Sequence, residues 1–507
     1  MTEYSVLNSR ATRLDGPAKA TGRAKYADDF TMPGMLYAAI LQSPVAHARI
    51  LNIDVSKARK LPGVKAVVTA KEAGLIKYGV SPARYDETLF AHDKVRYVGD
   101  EIAAVAAVDQ ATAQEALELI KVDYEELPAV FDMFEAMKEG APQVHAEFPG
   151  NLNAEVHQEF GDTEAAMATC DLIVDHTFLN KSQDAAFIEL HSCLALFVLD
   201  GRLTLHTSTQ VPHYVMRTVA MVLQMPVGNV RVMKPYVGGG FGPKCEATPL
   251  EMSAALLARQ TGKPVKMTYS REQVFLHSRA RHQFYAEMSL GVMNDGTMVA
   301  LKNKAILDGG AYTSFGIATV YYSGSLLGGP YKLKAMKYDG YRAYTNRPAC
   351  GAQRGHGGVA HRAAFEQLLD MTADKLGIDP VEFRLKNIMQ RGDMTVNELD
   401  MSSLGMKECI EAVRDASAWT EKKGKLPKGK GIGMACGFFV SGAGYPIYRS
   451  DTYHSTVVIK VSEDGGTVTV LTGSAEIGQG SDTTMAMIAA ETLGISLDHV
   501  KVISDRK

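Results

Sequence analysis

No two cysteines are spaced C-x-x-C, and the six present (Cys170, Cys193, Cys245, Cys350, Cys409 and Cys436) are scattered along 507 residues. That scatter excludes a ferredoxin-type iron–sulfur cluster or structural zinc site in this chain and fits a reducing compartment. Any electron relay is therefore expected on another polypeptide. Long apolar runs are also missing: "IAAVAAV" (102–108) falls far short of the roughly 18 residues of a membrane span. The opening "MTEYSVLNSRATRLDG" has no charged-then-apolar leader pattern, so the expected location is cytoplasmic. A net charge of −3, with no Lys/Arg stripe, leaves no nucleic-acid footprint.

The length predicts about three domains, and the pattern an α+β chain. Residues 17–130 form an α+β module: "MLYAAILQSP" and "VKAVVTA" are strands, and "DQATAQEALELIKVDYEE" is a helix capped by Asp109. Residues 131–159 are loop-rich and predict a linker. Over 160–420 a mixed region follows. "GRLTLHTSTQ" and "NVRVMKPYVGG" are strands, "ATPLEMSAALLARQTG" is a helix from Pro249 to a stop at Gly262, a hairpin turns at Asn294-Asp295-Gly296, and "GGVAHRAAFEQLLDMTADKLG" is a helix ending at Gly377. Residues 430–507 open a third region, with a hairpin over 455–472 turning at Asp464-Gly465, a helix "SDTTMAMIAAETLG" and a strand "VKVIS".

Three glycine-rich turns lie in this frame: "VGGGFGPKCE" (237–246), "CGAQRGHGG" (350–358) and "AEIGQGSD" (475–482). Glycine lets a backbone come close to a ligand because no Cβ intervenes, and free amides at a following helix start favour an anion. A helix dipole contributes only about 0.3–1 kcal/mol, so one loop does not hold a phosphate-bearing ligand. Three such turns, with Arg354 as a forked donor, predict one extended anionic ligand. Known phosphate motifs do not fit. Lys244 follows Pro243 and precedes Cys245, unlike a Walker A loop, and no buried parallel strand leads into the G-x-G-x-x-A match of "GHGGVA".

With those loops, "KATGRAKYADDF", "SPVAHARI", "DKVRYVGDEIAAVAA", "TSTQVPHYV", "GGGFGPK", "TNRPACGAQRGHGG" and "AEIGQG" resemble the molybdopterin-binding large subunit of the xanthine dehydrogenase and aldehyde oxidase family. The resemblance implies a hammerhead-like N-terminal domain, then a large mixed α+β molybdenum-cofactor-binding region truncated within its second half. It implies a molybdenum–pterin cofactor, as a cytosine dinucleotide, whose metal takes its sulfurs from the pterin, so that no protein metal ligand is expected. By position, Gln210 would hydrogen-bond an oxo ligand, while Gly239, Gly240 and Phe241 would line the metal. Ala352 and Arg354 would approach it from the second loop, and Gly478, Gln479 and Gly480 would bind the cofactor phosphates. Partner subunits carrying 2Fe–2S clusters and FAD, in a dimer of heterotrimers, are also implied.

Purine-oxidising relatives carry Glu, Arg and Phe where this chain has Cys245, Tyr322 and His356, so xanthine is not the expected substrate. "CGAQRGHG", "RYDETLFAHDKVRYVGD" and "KGKLPKGKGIGMACGFFVSGAGYP" resemble the 4-hydroxybenzoyl-CoA reductase large subunit, implying reductive loss of a ring hydroxyl. Tyr322 and His356 would then be catalytic, donating a proton or hydrogen bond to the ring oxygen; satisfied core residues are the plain alternative. Other readings are an aldehyde or N-heterocycle hydroxylase, or a non-catalytic assembly protein. Family members are expected to continue for half as much again and to carry there the glutamate that acts as general base. Glu189 is open to a packing role and Glu246 to capping the next helix. Residues 1–507 alone are accordingly expected to be inactive and to bind cofactor weakly or not at all.

Overall fold

Strands from two distant parts of the chain share one sheet. In the computed structural model, which describes residues 4–80, 84–439, 456–463 and 465–504, seven strands lie in the spatial order Val230–Met233, Leu203–Thr207, Ser192–Phe197, Val265–Thr268, Leu36–Gln42, Glu101–Ala107, Val64–Thr69. Leu36–Gln42 runs parallel to Val265–Thr268 and antiparallel to Glu101–Ala107, so the N-terminal module is bonded into the following region through the sheet itself. Glu101–Ala107 is buried at every position, as a continuous small-apolar run requires. Its alternate residues serve two cores: Ala104 and Ala106 meet the Pro249–Thr261 side, while Ala103, Val105 and Ala107 meet the Gln110–Glu118 side.

Local chemistry sets the covering helices. Pro249–Thr261 starts at a reciprocal Thr248–Glu251 capping box with Pro249 in its first turn, and ends at left-handed Gly262 (φ 63°). Gln110–Glu118 starts where Asp109 accepts from the Thr112 amide at 2.8 Å. That helix is shorter than the sequence predicts. Lys121–Glu126 is instead a strand paired with Ala48–Asp54, because Lys-Val-Asp-Tyr alternates at period two and places Val122 and Tyr124 against the core.

A second, five-stranded sheet has the order Leu152–Phe160, Ala335–Ala343, Met298–Asp308, Phe284–Val292, Leu172–Asn180. All but the last residue of its first strand lies in the stretch read as a linker over 131–159. That half-exposed edge strand buries too few apolar positions to announce itself. The helices Gly316–Ser325 and Gly358–Leu376 pack on this sheet.

The last unit is a three-stranded sheet, Val457–Val461, Val468–Thr472 and Val500–Ile503, with the helix Ser481–Leu493. Asp464 and residues 440–446 of the last quoted motif lie outside the described residues. Val457–Val461 is exposed along its whole length. The N-terminal segment runs back over this unit, where Glu491 accepts from the amides of Val6 (2.6 Å) and Leu7 (3.0 Å). Among the described residues no helix is long and apolar enough to cross a membrane.

Candidate active site

The first glycine loop follows the strand Val230–Met233 and is held from below by a buried ion pair. Lys244 Nζ lies 2.9 Å from Glu189 Oε2 and 2.6 Å from Ser208 Oγ, and over the Phe187 ring. Burial lowers the Lys244 pKa, and Glu189 pulls it back up. The same Glu189 oxygen accepts from the Gly238 amide at 2.7 Å. A Cβ on Gly238 would stand 2.5 Å from Glu189 Cβ, so glycine is required here. Higher in the loop, Gln210 Oε1 accepts from the Gly242 amide at 2.8 Å and Gln210 closes the space beside Gly240. Phe241 takes a left-handed backbone (φ 54°) and leaves its ring half exposed.

The next helix does not offer the free amides expected for an anion. Its start is closed by Thr248 and Glu251 and opens with Pro249, which has no N–H. Glu246 does not cap it either. Its Oε1 accepts from Arg279 Nε (3.0 Å) and Ser314 Oγ (2.7 Å), deep in the protein. Burial, with Glu246 adding to it, pushes the Cys245 thiol up to about 12. Cys245 is therefore a neutral, weakly polar wall residue at ordinary pH.

The second loop meets the first backbone to backbone. Arg354 N donates to Phe241 O at 2.7 Å, and Gly242 packs so closely that a Cβ would collide with the Ala352 carbonyl. The loop is fixed behind by Gly351 N to Ala280 O (3.1 Å) and by Arg281 Nη2 to Arg354 O (2.6 Å). Gln210, Gly239, Gly240, Phe241, Ala352 and Arg354 thus converge. Beside them, His356 Nε2 lies 2.5 Å from Thr319 Oγ1, and Tyr322 packs against the His356 ring with centroids 5.7 Å apart. Burial, aided by Arg281 and Arg342, lowers the His356 pKa to about 4 and keeps the ring neutral. Sequence reasoning missed Thr319 and Arg279, which lie in no pattern that periodicity or spacing marks, and passed over Gln353 although it stands inside the second glycine turn.

The third loop stands apart, tied to the first through Lys234, whose Nζ donates to Glu476 O at 2.9 Å. Gly478 and Gly480 have positive φ, as expected of a loop that cups an anion. The anion present is the chain's own: Glu476 accepts from the amides of Gly478 (2.7 Å), Gly480 (3.2 Å) and Asp482 (3.2 Å). Gln479 turns back on the loop, accepting from Ile477 N at 2.7 Å, and Arg13 reaches in to donate to Gly478 O at 2.6 Å.

Among the described residues no three His, Cys, Asp or Glu side chains gather as metal ligands. What converges is bare glycine surface with the Phe241 ring and the Gln210 side chain, the Gly238, Gly242 and Arg354 amides being bonded within the chain, which suits a group that brings its own metal ligands. Gln353 Oε1, buried without a hydrogen-bond partner beside His356, is an acceptor left open for an N–H or O–H of a bound molecule.

Residues 21–128 match the aldehyde oxidase and xanthine dehydrogenase a/b hammerhead domain, and residues 144–388 and 406–507 match molybdopterin cofactor-binding domains. The nicotinate dehydrogenase large molybdopterin subunit of Eubacterium barkeri is 36% identical over 415 aligned residues, 82% of this chain and 96% of that subunit. The chain belongs to the xanthine dehydrogenase and aldehyde oxidase family. It is a molybdopterin-binding chain of that family, built as a hammerhead domain followed by cofactor-binding domains. The putative xanthine dehydrogenase molybdenum-binding subunit of Escherichia coli K12 is 34% identical across 97% of this chain, which spans 66% of that relative. Family relatives therefore include chains both shorter and longer than this one. Among solved structures, quinoline 2-oxidoreductase from Pseudomonas putida 86 superposes with a TM-score of 0.90 at 29% identity, covering 99% of this chain and 67% of that one. Aldehyde oxidoreductase from Desulfovibrio gigas gives 0.91 at 28%, covering 99% and 56%.

Proposed function

We propose that this chain supplies the cofactor site of a molybdenum hydroxylase acting on an N-heteroaromatic ring, working with iron–sulfur and FAD subunits in the cytoplasm. The observation that carries the reading is the backbone contact of the two glycine loops at Phe241, Gly242, Ala352 and Arg354. A relative that this chain covers to 96% is named for nicotinate, which favours the N-heterocycle. The molybdenum–pterin cytosine dinucleotide, when bound, supplies two-electron redox chemistry at the metal.

The chain's own residues hold and orient. Gln210 fixes the Gly242 amide, so the Gly239–Phe241 turn presents its surface to the group. Arg354 and the Ala352 segment close it from the other side, and Gly478, Gln479 and Gly480 would take its phosphates once Glu476 gives up the Gly478 and Gly480 amides. Neutral His356, oriented by Thr319, carries one ring proton to share with a substrate ring atom without adding charge. Tyr322 packs on the His356 ring and Phe439 on Tyr322, giving that side an aromatic wall.

Reductive dehydroxylation of 4-hydroxybenzoyl-CoA rests on the sequence resemblance and is the second arm of the same assay. The complex is purified from its native cell, molybdenum per chain is measured, and turnover is assayed oxidatively with nicotinate and xanthine and reductively with 4-hydroxybenzoyl-CoA. Molybdenum with oxidative turnover of the heterocycle supports the reading. A complex without molybdenum overturns it, and exclusive reductive turnover replaces the substrate.

A further inference from the structure

One buried guanidinium joins both glycine loops to the N-terminal module. Arg279 is 2% exposed, with Nε 3.0 Å from Glu246 Oε1 and Nη2 2.6 Å from Glu87 Oε2. Glu246 directly follows Cys245, whose amide donates to Gly242 O at 2.8 Å, so the first contact bears on the turn that Gln210 holds. The residue after Arg279, Ala280, pairs with Cys350, and a Cβ on Gly351 would stand 2.7 Å from Arg279 Cβ. Ser314, which bonds the same Glu246 oxygen, would be 2.6 Å from that Cβ. The second loop is therefore packed directly on the Arg279 side chain. Glu87 belongs to the N-terminal module, and Tyr78 OH donates to it at 3.4 Å.

We infer that Arg279 is a positioning residue for the cofactor site, setting the spacing of the two glycine loops and coupling both to the N-terminal module through Glu87. The inference rests on the reading that those loops hold the molybdenum–pterin group. A guanidinium presents separate edges to two carboxylates in fixed directions; the point charge of a lysine does not. A displacement of about 1 Å at a reacting centre costs as much as ~100-fold in rate. Loop spacing is thus a rate-determining quantity even though Arg279 touches no substrate.

The test uses the intact native complex carrying Arg279→Lys or Glu87→Ala. Alanine is the informative change, because glutamine would keep an oxygen able to accept from Arg279 Nη2. The readouts are molybdenum per chain, the Mo(V) electron paramagnetic resonance spectrum after partial reduction, and kcat and KM. The expected result is a shifted Mo(V) spectrum and about a tenfold lower kcat with little change in KM, in molecules that keep their molybdenum. An unchanged spectrum per molybdenum overturns the inference, even if melting temperature or loading falls, since a packing role alone does that. Should Arg279→Lys not accumulate, Glu87→Ala decides alone. A wild-type complex devoid of molybdenum would instead overturn the functional reading beneath it.

Discussion

Lys244 and Glu189 form an ion pair closed to solvent, Nζ to Oε2 2.9 Å, with the lysine side chain fully buried beneath the first glycine loop. Removing one member of such a pair strands the other charge, which costs about 3–5 kcal/mol. Lys244→Met is therefore expected to lower stability by about that amount in denaturant unfolding. Glu189→Gln, which keeps an acceptor for the Gly238 amide, should cost less.

Gly242 has φ 113° and would place a Cβ 2.3 Å from the Ala352 carbonyl oxygen. Gly242→Ala combines backbone strain with a collision of its Cβ against a backbone carbonyl, neither of which a rotamer change relieves. Strain alone is worth about 1–3 kcal/mol. The expected outcome is a complex with less molybdenum per chain, measured by elemental analysis. Gly429→Ala, in a surface turn with open space around it, is the matched control.

His356 has a folded-state pKa of about 4 against an ordinary 6.5, because burial disfavours its charged form. Its contribution to stability is complete above pH 6.5 and disappears as pH falls through about 4, at most on the order of 3 kcal/mol. Unfolding free energy measured from pH 7 to pH 4 should fall less steeply in His356→Asn than in the native chain. An identical slope would show that the imidazole is not held neutral.

Burial pushes the Cys245 thiol up to about 12, whereas Cys409 is exposed. Peptide mass spectrometry after brief iodoacetamide treatment at pH 8 should find Cys409 alkylated first and Cys245 protected until the fold is opened. Early modification of Cys245 would place a reactive thiolate beside the first loop and change the reading of that wall.

Arg13 reaches Gly478 O and Glu476 from an exposed position. Arg13→Ala should cost under about 1 kcal/mol of stability while speeding limited proteolysis near residue 478. Equal cleavage rates would mean that the N-terminal segment does not hold the third loop.

The residues themselves determined the hairpins, the capped helix from Pro249 to Gly262, and the three glycine turns, because turn chemistry, capping and periodicity act between neighbours in sequence. The family was legible for a related reason: its motifs are short contiguous runs, "GGGFGPK" and "CGAQRGHGG" among them. The half-exposed strands Lys121–Glu126 and Leu152–Phe160 were not, since what stabilises each is a partner strand far away in sequence. Tertiary structure alone decided that Glu246 meets Arg279 and Ser314, and that Glu476 occupies the amides of the third loop. It alone turned Arg354 toward Phe241 and set Thr319 on His356. A buried polar group must find its hydrogen bonds wherever the packed chain brings a donor or acceptor, and that nearness in space leaves no trace in local sequence.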